Sequence, residues 1–169
     1  SKLSNMNNHQ TATRVFDLLE TSVKPLNKED VFACKIQGNW RKYSAQEVID
    51  TVNRVSLGLL KLGVKRDDKI ALISNNRPEW NFVELGVQQI GAVSVPMYPT
   101  ITIEDYNYIF ADAGIKLIFV SDEGLLKKST EASKGLNSVE AIYTFDQIAG
   151  AKHWTEILDL ANGNDVDTL

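Results

Sequence analysis

The side chains that could face a ligand lie in two short segments, Asn75-Asn76-Arg77 and Tyr98-Pro99-Thr100. The first lies between an apolar run, Lys69 to Ser74, and a helix led by Pro78; the second follows another apolar run, Ala92 to Val95. In doubly wound folds ligands gather beyond the carboxyl ends of strands, so these side chains are candidates for a substrate-facing loop. Each segment also has a plainer reading. Asparagines ahead of a Pro-led helix are expected first as caps, and the prolines beside Tyr98 are expected to stiffen a loop. His9 and His153 lack Cys, Asp or Glu at metal-ligand spacing, so surface or packing roles are expected of both. Neither G-x-x-x-x-G-K-S/T nor G-x-G-x-x-G occurs, and no catalytic, cofactor-binding or metal-binding residue is expected here. Lys65-Arg66 and Lys127-Lys128 are expected to be solvated surface pairs.

The elements that would position these residues alternate. Val15, Phe16, Leu18, Leu19 and Val23 recur at near-helical spacing, and Pro25 stops that helix. Val31 to Ile36 and Trp40 to Tyr43, joined at Gly38-Asn39, predict a short β-hairpin. Ser44-Ala45-Gln46-Glu47 is a capping box, the following helix has an apolar stripe at Val48, Val52, Val55, Leu59 and Leu62, and Gly63 can close it in the left-handed conformation. Lys69 to Ser74 predicts a strand buried on both sides. A helix from Pro78 to about Gln89 follows, with Trp80 as a core anchor. Ala92 to Val95 predicts another buried strand, halted by two prolines. Thr102 opens a helix that faces Tyr106, Ile109 and Phe110 inward and stops at Gly114. Leu117 to Val120, a helix over Glu123 to Lys134, a strand at Ala141 to Thr144 and a helical turn over Thr155 to Leu160 complete the series. This rhythm predicts an α/β fold: a mainly parallel, doubly wound sheet with helices on both faces. Residues 1–12 are expected to be a disordered polar start, 13–160 the α/β subdomain, and 161–169 a linker or cut end.

With 169 residues, 43% of them hydrophobic, the chain can bury one core. Its net charge of −4 and lack of a basic stripe argue against nucleic-acid binding. The single Cys34 cannot form an internal disulfide, so a reducing cytoplasmic compartment is the simpler reading. Leu85 to Ile103 carries no charge, but Gln88, Gln89, Pro96 and Pro99 mark it as buried protein and not a membrane span.

The stretch Gly63 to Trp80, with Ile90-Gly91-Ala92-Val93-Ser94-Val95-Pro96-Met97-Tyr98-Pro99-Thr100, resembles the amino-terminal part of long-chain fatty acid CoA ligases of the adenylate-forming superfamily. Trp40 to Glu47, Asn76-Arg77-Pro78-Glu79-Trp80 and Asp112 to Val120 extend the likeness, which runs from about Thr13 to Leu160. The resemblance implies a parent enzyme that activates a fatty acid with Mg-ATP, forms an acyl-adenylate and pyrophosphate, and transfers the acyl group to CoA. The family's Ser/Thr/Gly-rich phosphate loop ending in Pro-Lys-Gly and its carboxy-terminal lysine are absent. The segment is therefore expected to be inactive alone, to bind no ATP, Mg or CoA by itself, and to belong to a larger amino-terminal domain. Its expected partner is the remainder of its own chain, with self-association through any surface that truncation uncovers. A long-chain substrate implies contact with lipid surfaces for the parent.

Two further readings compete with this one. The length and strand rhythm also suit a free-standing α/β binding module, of the receiver or flavodoxin-like kind. A receiver needs an acidic pair after its first strand, where this chain has Ser and Asn, and a flavin phosphate needs a hydroxyl-rich loop before a helix, which neither Pro78 nor Thr102 has. The other is an interaction or scaffold segment that pairs with the rest of its own chain.

Overall fold

The computed structural model describes residues 43–162. The expected helix at 15–23, the hairpin strand at 31–36, Cys34, His9 and the termini at 1–12 and 163–169 lie outside those residues.

The described chain divides into two compact units. The first contains helix α1 (Ala45–Lys61) and helix α2 (Pro78–Gln89). The Ser44 hydroxyl accepts the Glu47 amide at 3.1 Å and starts α1, and Gly63, at φ 88°, lies just beyond its end. Val48, Val52, Val55 and Leu59 form its buried stripe, as the spacing predicts. Helices α1 and α2 approach closely where Gly86 meets Val55, because a Cβ at Gly86 would lie 2.5 Å from Val55 Cγ1. A polar zip accompanies this contact. Ser56 Oγ donates to the Gly86 carbonyl at 2.9 Å and lies 2.8 Å from Gln89 Oε1, while Gln89 Nε2 donates to Asn53 Oδ1 at 3.1 Å. The buried Ser56 hydroxyl is thereby satisfied.

The second unit is a five-stranded parallel sheet. Its strands are β1 (Lys69–Ile73), β2 (Val93–Met97), β3 (Ile115–Val120), β4 (Ala141–Thr144) and β5 (Lys152–His153), in the spatial order β2-β1-β3-β4-β5. Helix α3 (Ile103–Ala113) joins β2 to β3, and helix α4 (Glu123–Ala132) joins β3 to β4. Ala71, Ile73, Ile118 and Val120 share one core with Tyr106 and Phe110 of α3 and Leu125 and Ala132 of α4. The alternate residues Ile70, Leu72, Leu117 and Phe119 are buried as well. Side chains alternate across a strand, so both faces of β1 and β3 are covered, which is the doubly wound α/β pattern. On that second face Phe119 stacks on Tyr143 at 5.6 Å and on Phe145 at 6.2 Å, and Trp154 meets Phe145 edge-on at 6.1 Å. A last helix, α5 (Thr155–Leu160), follows β5 and from Ile157 onward belongs to the first unit.

Four expectations need correcting. β2 is the outermost strand among the described residues and half-exposed, with only β1 beside it, and it runs through Pro96 to Met97. A strand at the edge tolerates a proline, since no neighbour needs its amide on the open side. Trp80 is only half-buried and lies outside the core. No asparagine side chain caps α2: its N-cap is Arg77, with no side-chain cap bond. His153, expected in a loop, lies in the two-residue strand β5, which is too short to leave a period in sequence.

Candidate functional site

Because every strand of the sheet is parallel, the loops after β1, β2, β3 and β4 emerge at one edge of the second unit. The order 2-1-3-4-5 places the topological switch point between β1 and β3, where ligands bind in open α/β sheets. Three of the predicted residues are at this edge: Asn75 after β1, and Tyr98 and Thr100 after β2. All three are exposed. Asn76 and Arg77 belong to the first unit, where Arg77 Nε pairs with Glu79 Oε2 at 3.2 Å and the Arg77 carbonyl accepts from Asn81 Nδ2 at 3.1 Å.

The backbone stitches these loops together. The Ser121 amide donates to the Ile73 carbonyl at 3.2 Å and the Asp146 amide to the Ser121 carbonyl at 3.0 Å. Ser121 is buried, and its hydroxyl is 3.1 Å from Asp122 Oδ2. Asp122 also caps α4, with Oδ1 accepting the Leu125 amide at 2.9 Å. Thr144 is buried; its hydroxyl donates to the Asp146 carbonyl at 2.8 Å and lies 3.3 Å from the Lys152 carbonyl. Ser121, Asp122 and Asp146 are not among the residues that the sequence singles out. The available signal was Ser121-Asp122-Glu123 directly after an apolar run, which is both a strand end and a helix cap.

The turn after β2 is fastened from two helices. The Tyr106 hydroxyl of α3 donates to the Tyr98 carbonyl, and Lys128 Nζ of α4 donates to the Pro99 carbonyl at 3.2 Å while standing 5.2 Å from the centre of the Tyr106 ring. Lys128 is thus half-buried and engaged, not the solvated lysine its sequence suggests, whereas Lys127 is exposed and pairs with Glu123 at 3.6 Å. Burial raises the Tyr106 phenol above its ordinary value, and a hydrogen bond with the Ile101 backbone pulls it part of the way back. His153 is a packing histidine. Nε2 is 2.9 Å from the Phe145 carbonyl, which fixes the proton there, and Nδ1 is 2.6 Å from Thr155 Oγ1.

The AMP-binding enzyme family matches residues 20–165. This chain belongs to the AMP-binding enzyme family. A relative, the long-chain-fatty-acid–CoA ligase FadD15 of Mycobacterium tuberculosis, is 29% identical over 116 residues, covering 69% of this chain and 19% of its own length. The uncharacterised protein Rv1549 of the same organism is 38% identical over 84 residues, covering 50% of this chain and 45% of its own length. The chain thus spans less than half of each of these relatives. Among solved structures, the luciferase-like enzyme of the nonluminescent mealworm Zophobas morio superposes with a TM-score of 0.67 at 21% identity, over 76% of this chain and 30% of that one. That likeness shows the fold.

An adenylate-forming reaction brings in a nucleotide triphosphate with its metal. The strand-end residues described in this chain do not fit that group. The side chains at this edge include hydroxyls, the Asn75 amide and the carboxylates of Asp122 and Asp146; the ammonium of Lys128 is held by the Pro99 carbonyl, and that of Lys152, beside the end of β4, stands 5.9 Å from the centre of the Tyr143 ring. Among the described residues no three His, Cys, Asp or Glu side chains come together. Phosphate oxygens need converging cations, and the two lysine ammonium groups described at this edge are engaged with a carbonyl and with aromatic rings.

Proposed function

We propose that this segment is the amino-terminal α/β part of a long-chain fatty acid–CoA ligase. In the complete enzyme ATP with Mg activates a fatty acid as the acyl-adenylate, releasing pyrophosphate, and CoA then takes the acyl group and releases AMP. The observation that carries this reading is the alignment with the ligase FadD15 over 69% of the chain, inside a family match to residues 20–165. The segment alone is catalytically silent in this reading, because the Pro-Lys-Gly phosphate loop that would meet a triphosphate does not occur in its sequence. Its work is structural: the parallel sheet and its strand-end loops buttress the acyl and nucleotide pocket completed by later residues. Asn75, Asn76, Arg77, Tyr98 and Thr100 remain its candidates for a substrate-facing loop.

The enzyme works in the cytoplasm and meets its long-chain substrate at lipid surfaces. No helix among the described residues is long and apolar enough to cross a membrane. The half-exposed edge of β2 gives the isolated segment a route to self-association, which sedimentation at rising concentration tests. A clean monomer at high concentration counts against that route.

The experiment for the function is to sequence the coding region downstream of Leu169 and assay the encoded polypeptide for palmitoyl-CoA formation. A Ser/Thr/Gly-rich loop ending in Pro-Lys-Gly, with ATP- and CoA-dependent product, is the expected result. A stop codon at Leu169 favours the second reading, a free-standing α/β binding module, for which the switch-point order β2-β1-β3-β4-β5 is the supporting observation.

A further inference from the structure

The turn at Tyr98-Pro99-Thr100 combines two properties that seldom occur together. Tyr98 is 79% exposed, the most exposed large apolar side chain among the described residues, yet the backbone beneath it is tied down from two helices. The fully buried Tyr106 spends its hydroxyl on the Tyr98 carbonyl, and Lys128 gives up side-chain freedom to hold the Pro99 carbonyl at 3.2 Å and cover the Tyr106 ring. The Ile101 amide closes the turn on the Tyr98 carbonyl at 3.4 Å. Pro96 and Pro99 restrict the backbone on either side. A loop that only connects β2 to α3 needs none of this, and an aromatic ring displayed on a stiff backbone is the form of a contact anchor, since little entropy remains to be lost on docking.

We propose that the Tyr98-Pro99-Thr100 turn is a pre-ordered docking ridge for the remaining polypeptide of the ligase, with Tyr106 and Lys128 as its positioning residues. This rests on the reading of the chain as part of a longer ligase. The occupant follows from length: the segment spans 19% of FadD15, so most of such an enzyme lies outside it. The chemistry required of the occupant is a cleft that buries the phenol ring and pairs its hydroxyl.

The test compares hydroxyl-radical footprinting of Tyr98 in this chain and in the complete encoded polypeptide, with amide exchange at Ile101 in both. Tyr98 is expected to be modified readily in this chain and at least about fivefold more slowly in the longer one, as burial of an anchor requires. Equal modification in both, or a coding region that ends at Leu169, overturns the proposal. For the positioning role, Lys128→Met is expected to speed Ile101 exchange in this chain about tenfold, as loss of a charged hydrogen bond does, and to reduce the protection of Tyr98 in the longer polypeptide. Lys128→Arg, which keeps the cation and the donor, is expected to restore both. Unchanged exchange in Lys128→Met overturns the positioning role. Neither readout uses catalysis, so a complete polypeptide that protects Tyr98 yet makes no acyl-CoA supports the ridge while refuting the ligase reading.

Discussion

Gly58 is where one added methyl group should do the most damage. It lies in α1 against Ile157 of α5, and a Cβ there would overlap the Ile157 carbonyl oxygen outright and lie 2.5 Å from its Cγ2 and 2.8 Å from its carbonyl carbon. Two of those atoms are backbone, so no rotamer change relieves the clash and α5 must move away from α1. Displacement also loosens Arg54, which donates to the Leu158 carbonyl at 3.3 Å and faces Asp159 at 4.0 Å. Gly58→Ala gains about 1 kcal/mol from helix propensity. Overpacking a tight contact costs about 3 kcal/mol at the upper end of its usual range, which a clash with backbone warrants. The net expectation is a loss of about 2 kcal/mol, or a drop in Tm of about 4–8 °C for a domain of this size. Gly124→Ala is the control. Its Cβ would meet nothing closer than Asp122 Oδ1 at 3.4 Å, near the start of α4, so the same chemical change should stabilise by about 0.5–1 kcal/mol. Urea and thermal unfolding followed by circular dichroism on both variants decides the matter. Gly58→Ala as stable as the parent chain would refute the reasoning, because the close approach of α1 and Ile157 could not then be as described.

Glu84 of α2 is half-buried, and burial raises its carboxyl above the ordinary 4.5. The folded state therefore holds that proton more tightly, and its contribution to stability is complete below pH 4.5 and lost as pH rises through the folded value. Glu84→Gln should accordingly be more stable than the parent at pH 7 and match it in acid, by urea titration at both pH values. Lys116 reaches Asp68 at 3.2 Å and Glu140 at 3.5 Å; burial pulls its pKa down, but the two carboxylates outweigh burial and leave it raised. Lys116→Met should cost about 1 kcal/mol at neutral pH. The deficit should be complete below pH 10.5 and fade as pH climbs through the raised value, which unfolding across that range checks. Ser129 is fully buried in α4, and its hydroxyl has no hydrogen-bond partner among the described residues. Ser129→Ala should stabilise by about 1 kcal/mol, and a loss of stability in the same assay would mean that the hydroxyl is paired.

The elements with strong local chemistry were legible in the sequence. Ser44 and Thr102 cap the helices expected of them, Gly63 and Gly114 follow their ends at positive φ, and the strands at Lys69, Leu117 and Ala141 form within two residues of their expected starts. Strand order was not legible, since the pairing of β1 with both β2 and β3 is a long-range choice that no local pattern records. That order explains why β2, apolar enough to pass for a central strand, stands at the edge with Pro96 inside it. The asparagines misled for a related reason. Residue type suited Asn75 and Asn76 to capping, yet the helix begins at Pro78 with Arg77 as its N-cap, leaving both asparagine side chains exposed. Lys128 shows the reverse, a residue typical of the surface drawn into the Tyr106–Pro99 cluster by the packing of α3 beside α4.

The central claim is that this chain is the non-catalytic amino-terminal part of a long-chain fatty acid–CoA ligase. Its most direct test is an ATP- and CoA-dependent palmitoyl-CoA assay on the 169-residue chain and on the complete polypeptide encoded with it. The account predicts product from the complete polypeptide and none from the chain alone. Turnover by the chain, or none on any long-chain acid by the complete polypeptide, would contradict it.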